Sequence, residues 1–287
     1  MSADWSTLVS AEALAAALGR DDLVIVDCRF SLAAAAGAVD AGERAWRTAH
    51  VPGAVYAHLD RDLSGPHAPG RGRHPWPTAA AFAQALGRWG IGEGVQVVAY
   101  DDGDGAFAAR LWWLLHSFGH RRVAVLDGGW ARWTALGLPV DASVTARSPR
   151  DAAGAFAADA LLHAADDIRR HVAAGGLLVD ARAAPRFRGE VEPIDPRAGH
   201  VPGAVNRPYA DNLADGRFKP ADALAREFGV LLDGRPPSAL VAMCGSGVTA
   251  CHHLLAMAHA GLDGARLFPG SWSGWIEDPA RPVATGP

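Results

Sequence analysis

The chain is poor in cysteine: Cys28, Cys244 and Cys251 are the only three in 287 residues. That number builds no disulfide framework, and the positions lack the paired spacing of a zinc site. Positive charge is not in excess either. The formal net charge of −4 argues against the domain-wide basic surface of a nucleic-acid binder. Two short arginine patches, Arg71-Gly72-Arg73-His74 and Arg186-Phe187-Arg188, are mixed with glycine and aromatics, so they read as anion contacts or solvated loops. No apolar run approaches the length of a bilayer span. The opening Met1-Ser2-Ala3-Asp4-Trp5 lacks the basic start and apolar core of a secretory leader. Together these absences predict a protein with no nucleic-acid or membrane partner and no metal, in a reducing cytoplasm that keeps a reactive thiol free.

What is present is a soluble composition, 49% hydrophobic and 20% charged, in a chain long enough for two domains with separate cores. The sequence also repeats itself. His50-Val51-Pro52-Gly53-Ala54-Val55 returns as His200-Val201-Pro202-Gly203-Ala204-Val205. Upstream, Leu23-Val24-Ile25-Val26-Asp27-Cys28-Arg29 matches Leu177-Leu178-Val179-Asp180-Ala181-Arg182. Downstream, Val97-Val98-Ala99-Tyr100-Asp101 matches Leu240-Val241-Ala242-Met243-Cys244, and Gly128-Gly129-Trp130 matches Gly270-Ser271-Trp272. Four landmarks in one order indicate a duplication.

Apolar runs near 23–27, 95–100 and 122–126 read as strands, and 11–19, 78–89 and 105–118 as helices, with Thr78 an N-cap. Continuous rather than alternating apolar strands predict a mostly parallel sheet with helices on both faces. The expected organisation is α/β: a first domain over 1–140, a linker over 141–158 without clear period, and a second domain over 159–287. A ligand is expected at the domain interface, a common pocket location.

The halves differ where chemistry is concerned. The second half carries Cys244-Gly245-Ser246-Gly247-Val248-Thr249 between a strand-like run and a helical pattern over Ala250 to Ala260. There a thiol faces unpaired backbone N–H groups and the positive end of a helix dipole, an environment that favours the nucleophilic thiolate. The first half has Asp101-Asp102-Gly103-Asp104 instead, so the first domain is expected to be a scaffold and the second catalytic. His50 and His200 occur in both halves and read as structural. Cys28 and Cys251 read as buried thiols and Trp112-Trp113 as packing, while Trp272 and Trp275 are expected to wall the active-site mouth.

These motifs resemble the tandem-domain sulfurtransferases of the rhodanese superfamily over about residues 10–282. The resemblance implies two tandem rhodanese-like domains, ping-pong chemistry through a cysteine persulfide on Cys244, and no metal or organic cofactor. The Gly245-Ser246 pair resembles 3-mercaptopyruvate sulfurtransferases, whereas thiosulfate:cyanide enzymes typically place arginine and lysine there. Mercaptopyruvate carries one carboxylate, and its sulfur transfer leaves an enolate that needs a positioned donor rather than a second cation. The resemblance makes Arg186 the substrate-carboxylate ligand, a role that suits its planar fork. A second family arginine falls at Asp195, leaving Arg197 and Arg188 as nearby candidates. The backbone of Gly245, Gly247, Val248 and Thr249 would hold the persulfide as a nest holds an anion. Asp62 and His74 match segments that approach the loop serine, which implies an Asp62–His74–Ser246 relay like a protease triad. The implied partners are a small sulfur donor and a thiol acceptor such as thioredoxin, or cyanide.

Three other functions compete. Thiosulfate:cyanide transfer uses the same cysteine. A cysteine phosphatase needs arginine where Ala250 stands. A non-enzymatic binding module would leave the intact cysteine loop idle.

Overall fold

The computed structural model describes residues 4–31, 40–144 and 146–287. The chain divides into two compact units, Met1–Gly65 with Pro77–Phe156, and Pro66–Trp76 with Ala157–Pro287.

The first unit runs β1 (Leu8–Val9), α1 (Ala11–Ala16), β2 (Leu23–Asp27), α2 (Ala41–Thr48), β3 (Val55–Tyr56), α3 (Ala79–Arg88), β4 (Gln96–Tyr100), α4 (Ala108–Ser117), β5 (Val123–Leu126) and α5 (Gly129–Ala135). Its sheet is parallel throughout, in the order β1-β5-β4-β2-β3. Every residue of β2, β4 and β5 is buried, which requires cover on both faces and explains the unbroken apolar runs. Thr78 caps α3 as its position predicts, accepting the Ala81 N–H at 3.2 Å. The helix expected over 105–118 begins only at Ala108. The reason is Asp101, whose carboxylate accepts the N–H groups of Gly103, Gly105, Phe107 and Ala108 at 2.9 to 3.1 Å and holds the intervening chain in a loop.

The second unit runs α6 (Ala165–Ala173), β6 (Leu177–Asp180), α7 (Ala184–Phe187), β7 (Val205–Asn206), the hairpin β8 (Leu213–Ala214) and β9 (Arg217–Phe218), α8 (Ala221–Leu232), β10 (Leu240–Met243), α9 (Cys251–His259), β11 (Arg266–Leu267) and α10 (Ser271–Trp275). Its main sheet is again parallel, β11-β10-β6-β7, and Leu161 bridges Leu267 where β1 pairs β5 in the first unit. The segment Pro66–Trp76, which lies in the expected first domain of 1–140, groups with this unit. The stretch expected as linker over 141–158 is held to the first unit as far as Phe156. Asp141 and His50 exchange backbone bonds, Arg147 donates to the Leu23 and Gly53 carbonyls, and the Phe156 ring stacks on Phe82.

The repeated motifs perform the same work in both units. Arg29 pairs with Asp27 at 2.7 Å, donates to the Ala49 carbonyl and lies 4.7 Å over the Trp130 ring. Arg182 pairs with Asp180 at 2.7 Å, donates to the Gly199 carbonyl and lies 4.8 Å over Trp272. In both buried pairs the two carboxylate oxygens and the arginine Nε and Nη2 are hydrogen-bonded, as buried charges require. His50 and His200 each place Nδ1 against a backbone carbonyl, Trp46 and Phe187 respectively, which gives both a structural role.

Candidate active site

Strand β10 ends at Met243 and delivers Cys244 to the head of the loop that leads into α9. Cys244 is almost wholly buried. Its backbone is fixed from the opposite turn: Ser271 Oγ accepts the Cys244 N–H at 3.1 Å, and the Trp272 and Ser273 N–H groups donate to the Cys244 and Gly245 carbonyls. Gly247 adopts φ 75°, and a Cβ there would lie 2.5 Å from the Pro269 carbonyl, so only glycine fits this bend. The N–H groups of Gly245, Ser246, Val248 and Thr249 have no acceptor among the described residues. They line the turn that starts at the thiol, the arrangement expected of an anion cradle. In the first unit the matching loop fills itself, because Asp101 supplies the carboxylate that its own amides bind.

Ser246 and His74 meet. His74 Nδ1 lies 2.7 Å from Ser246 Oγ, and both residues are buried although 172 positions separate them. Segment 66–76 brings His74 there by packing on the 270–277 turn. The Arg73 N–H donates to Ser273 Oγ at 3.1 Å, and the Gly70 N–H bonds Glu277. A Cβ on Gly274 would approach the Gly70 carbonyl to 2.9 Å and the Gly72 nitrogen to 3.0 Å. Glycine at 274 therefore leaves room for the segment that carries His74. Asp62 belongs to the other unit, where its oxygens accept from Arg88 at 2.8 Å and from the His58 N–H at 2.9 Å.

Arg186 lies on α7 and reaches the cysteine loop: a Cβ on Gly245 would lie 3.7 and 3.8 Å from its Nη2 and Nη1. Glu192 grips its Nε and Nη2, the latter at 2.6 Å, and Asp195 accepts from Nη2 at 3.2 Å. Arg197, expected as a second carboxylate ligand, instead donates to the Arg281 carbonyl. Arg188, the other candidate, pairs with Glu190. The second guanidinium at the loop is that of Arg73, whose Nη2 would lie 3.1 Å from a Gly245 Cβ and whose Nη1 pairs with Asp195. From sequence the Arg71–His74 patch reads as an anion contact or a solvated loop, and its adjacency to His74 is the signal that brings Arg73 to this site. Burial raises the Asp195 carboxyl above its ordinary range, with Arg73 and Arg186 pulling it down and Glu192 adding to the rise. Burial would also raise Glu192, but the Arg186 bond and the Asp195 and Ile194 N–H groups outweigh it and leave Glu192 lowered.

Trp272 and Trp275, expected to wall the site, are instead fully buried in the core of the second unit. Their indole nitrogens donate to the Arg197 and Pro282 carbonyls. Buried indoles find such partners. Cys251 is buried with its thiol 3.4 Å from the Gly247 carbonyl. Cys28 is buried in the first unit, and burial pushes its thiol well up, which marks it as inert.

A buried cysteine at the C-terminal end of a parallel strand, heading a loop with four N–H groups that have no acceptor among the described residues and with two guanidiniums close by, is a candidate nucleophile site suited to a small anion. The chain belongs to the rhodanese family: the rhodanese-like domain profile matches residues 10–136 and 164–278. It is 52% identical over 283 residues to a probable 3-mercaptopyruvate sulfurtransferase of Pseudomonas aeruginosa, covering 97% of this chain and 98% of the relative. It is 39% identical over 301 residues to a putative thiosulfate sulfurtransferase, SseB, of Mycobacterium tuberculosis, covering 100% and 99%. Among solved structures, SseA from Escherichia coli, described as a 3-mercaptopyruvate sulfotransferase, superposes with a TM-score of 0.80 at 30% identity, covering 94% of this chain and 100% of that one. Family and site together make the chain a rhodanese-family sulfurtransferase with one cysteine-bearing domain and one in which aspartate stands in its place.

Proposed function

We propose that this chain moves a sulfur atom from 3-mercaptopyruvate through a persulfide on Cys244 to a thiol acceptor or cyanide. The observation that carries this reading is the Ser246–His74 pair beside the cysteine loop, because this donor's leaving group needs a proton relay. The Cys244 thiolate attacks the donor sulfur; the S–S bond forms as the C–S bond breaks. The electron pair of that bond passes to the three-carbon fragment as an enolate, which takes a proton and leaves as pyruvate. Ser246, hydrogen-bonded to His74, supplies a donor where the enolate oxygen develops charge. Arg186 holds the carboxylate, and the N–H groups of Gly245, Ser246, Val248 and Thr249 stabilise the persulfide anion. The acceptor thiol then attacks the outer sulfur and restores Cys244. An enzyme whose three cysteines form no disulfide suits a reducing compartment such as the cytoplasm.

Thiosulfate is the second donor to consider, favoured by the presence of two guanidiniums, Arg73 and Arg186, above Gly245. The deciding experiment is intact-mass measurement after brief exposure to each donor, run beside Cys244→Ser. One added sulfur on the wild type alone, formed faster from mercaptopyruvate, is the expected result. Faster loading from thiosulfate would reverse the choice of donor, and no loading from either would end the sulfurtransferase assignment.

A further inference from the structure

Two cations and two carboxylates converge beside Gly245. Arg73 Nη1 pairs with one oxygen of Asp195, and Arg186 Nη2 lies 3.2 Å from the other, so a single carboxylate bridges both guanidiniums. Asp195 is buried, its side chain 2% exposed, whereas those of Arg73 and Arg186 are 30% and 17% exposed. Glu192 lies against Arg186 from the same segment. Arg182 also lies 3.3 Å from Glu192, but its own charge is matched by Asp180 at 2.7 Å. Before any donor arrives, the charges of Arg73, Arg186, Asp195 and Glu192 therefore cancel.

That balance matters because the two candidate donors differ in charge. Mercaptopyruvate brings one negative charge in its carboxylate, and thiosulfate brings two on a compact ion. A buried charge close to the anion acts on a dianion about twice as strongly as on a monoanion. We propose that Arg73 and Arg186 are the two anion-binding groups of the Cys244 site, and that Asp195, by bridging them, holds the pair in place and biases the site toward a singly charged donor. Arg73 thereby supplies the second guanidinium that the sequence lacks at position 195. The inference rests on the sulfur-transfer reading given above. Asp195 touches no donor and acts only through the two arginines.

The test compares second-order rate constants for sulfur loading from thiosulfate and from mercaptopyruvate. Asp195→Asn keeps the shape and one acceptor oxygen but removes the charge. The thiosulfate-to-mercaptopyruvate ratio should rise on the order of tenfold. Arg73→Gln removes a cation, and the ratio should fall by a similar factor, with Arg73→Lys recovering part of it. A purely structural role would lower both donors in the same proportion. Equal changes for both donors, or ratios moving the same way in both variants, would overturn the proposal. Arg73 is partly exposed, so its variants carry the test even if Asp195→Asn does not fold.

Calorimetric binding of sulfate and of pyruvate to the Cys244→Ser protein, with and without Asp195→Asn, gives a readout independent of turnover. A shift toward sulfate in the Asn variant is expected, and no shift counts against the proposal. If the wild type takes no sulfur from either donor, the sulfurtransferase reading fails, and this binding arm still decides the role of Asp195. If the wild type loads and the ratios stay fixed, only the inference about Asp195 and Arg73 fails.

Discussion

Ser271 Oγ accepts the backbone N–H of Cys244 at 3.1 Å while donating to the Phe268 carbonyl at 2.9 Å. Ser271 does this from a left-handed backbone, φ 50°, the same conformation that Gly129 adopts at the matching place in the first unit, φ 52°. The first unit has glycine, which takes that conformation without strain. The cysteine-bearing unit has a serine there instead, and its hydroxyl anchors the backbone of Cys244.

Ser271→Ala and Ser271→Gly both leave the buried Cys244 N–H without its acceptor, a loss of about 1–3 kcal/mol. The glycine variant also relieves left-handed strain of about 1 kcal/mol. Urea unfolding should therefore rank the wild type first, Ser271→Gly second and Ser271→Ala third. An alanine variant as stable as the wild type would mean that the hydroxyl is not holding the loop.

Ser246→Ala and His74→Gln should each slow sulfur loading from mercaptopyruvate by about 100-fold. If the two act as one relay, the double variant is no slower than the worse single variant. Multiplying losses would show that they act separately. Loading from thiosulfate should suffer less, since sulfite leaves without protonation at carbon.

His253 sits fully buried in α9, where its Nδ1 faces the Asn212 amide and its Nε2 the Arg207 carbonyl. Burial, with help from His252 and Arg207 and against the Arg207 carbonyl bond, lowers it from 6.5 to about 3. The folded protein thus holds this ring neutral, and its contribution to stability is complete above pH 6.5. It is lost as pH falls from 6.5 toward 3, at up to about 1.4 kcal/mol per pH unit. Between pH 7 and pH 5 the wild type should lose more stability than His253→Gln, as read from urea midpoints. Equal losses would assign the acid sensitivity to other groups.

Much of the fold was legible because its signals are local. The runs 23–27 and 177–180 are apolar because parallel strands are covered on both faces, and β2 spans Leu23–Asp27 as expected. The Asp27–Arg29 and Asp180–Arg182 motifs recur because each makes a buried ion pair under a tryptophan. The burial of Trp272 is not legible in this way: its backbone N–H bonds the Cys244 carbonyl, as its place on the active-site turn suggests, but the arginine that covers its ring lies 90 positions earlier.

The amino-acid sequence by itself determined the duplication and the class of fold, and it singled out Cys244 as the candidate nucleophile. Hydrophobic period, turn glycines and the exchange of Asp101 for Cys244 are all read within a few residues. Only the tertiary structure decided which distant groups surround that nucleophile. It joined His74 to Ser246, brought Arg73 rather than Arg197 to Gly245, and set Asp195 between two guanidiniums. The physical reason is that segment 66–76 docks through single contacts to Ser273 and Glu277 and through the space left by Gly274. Such contacts carry no sequence period, and only the folded chain brings their partners together.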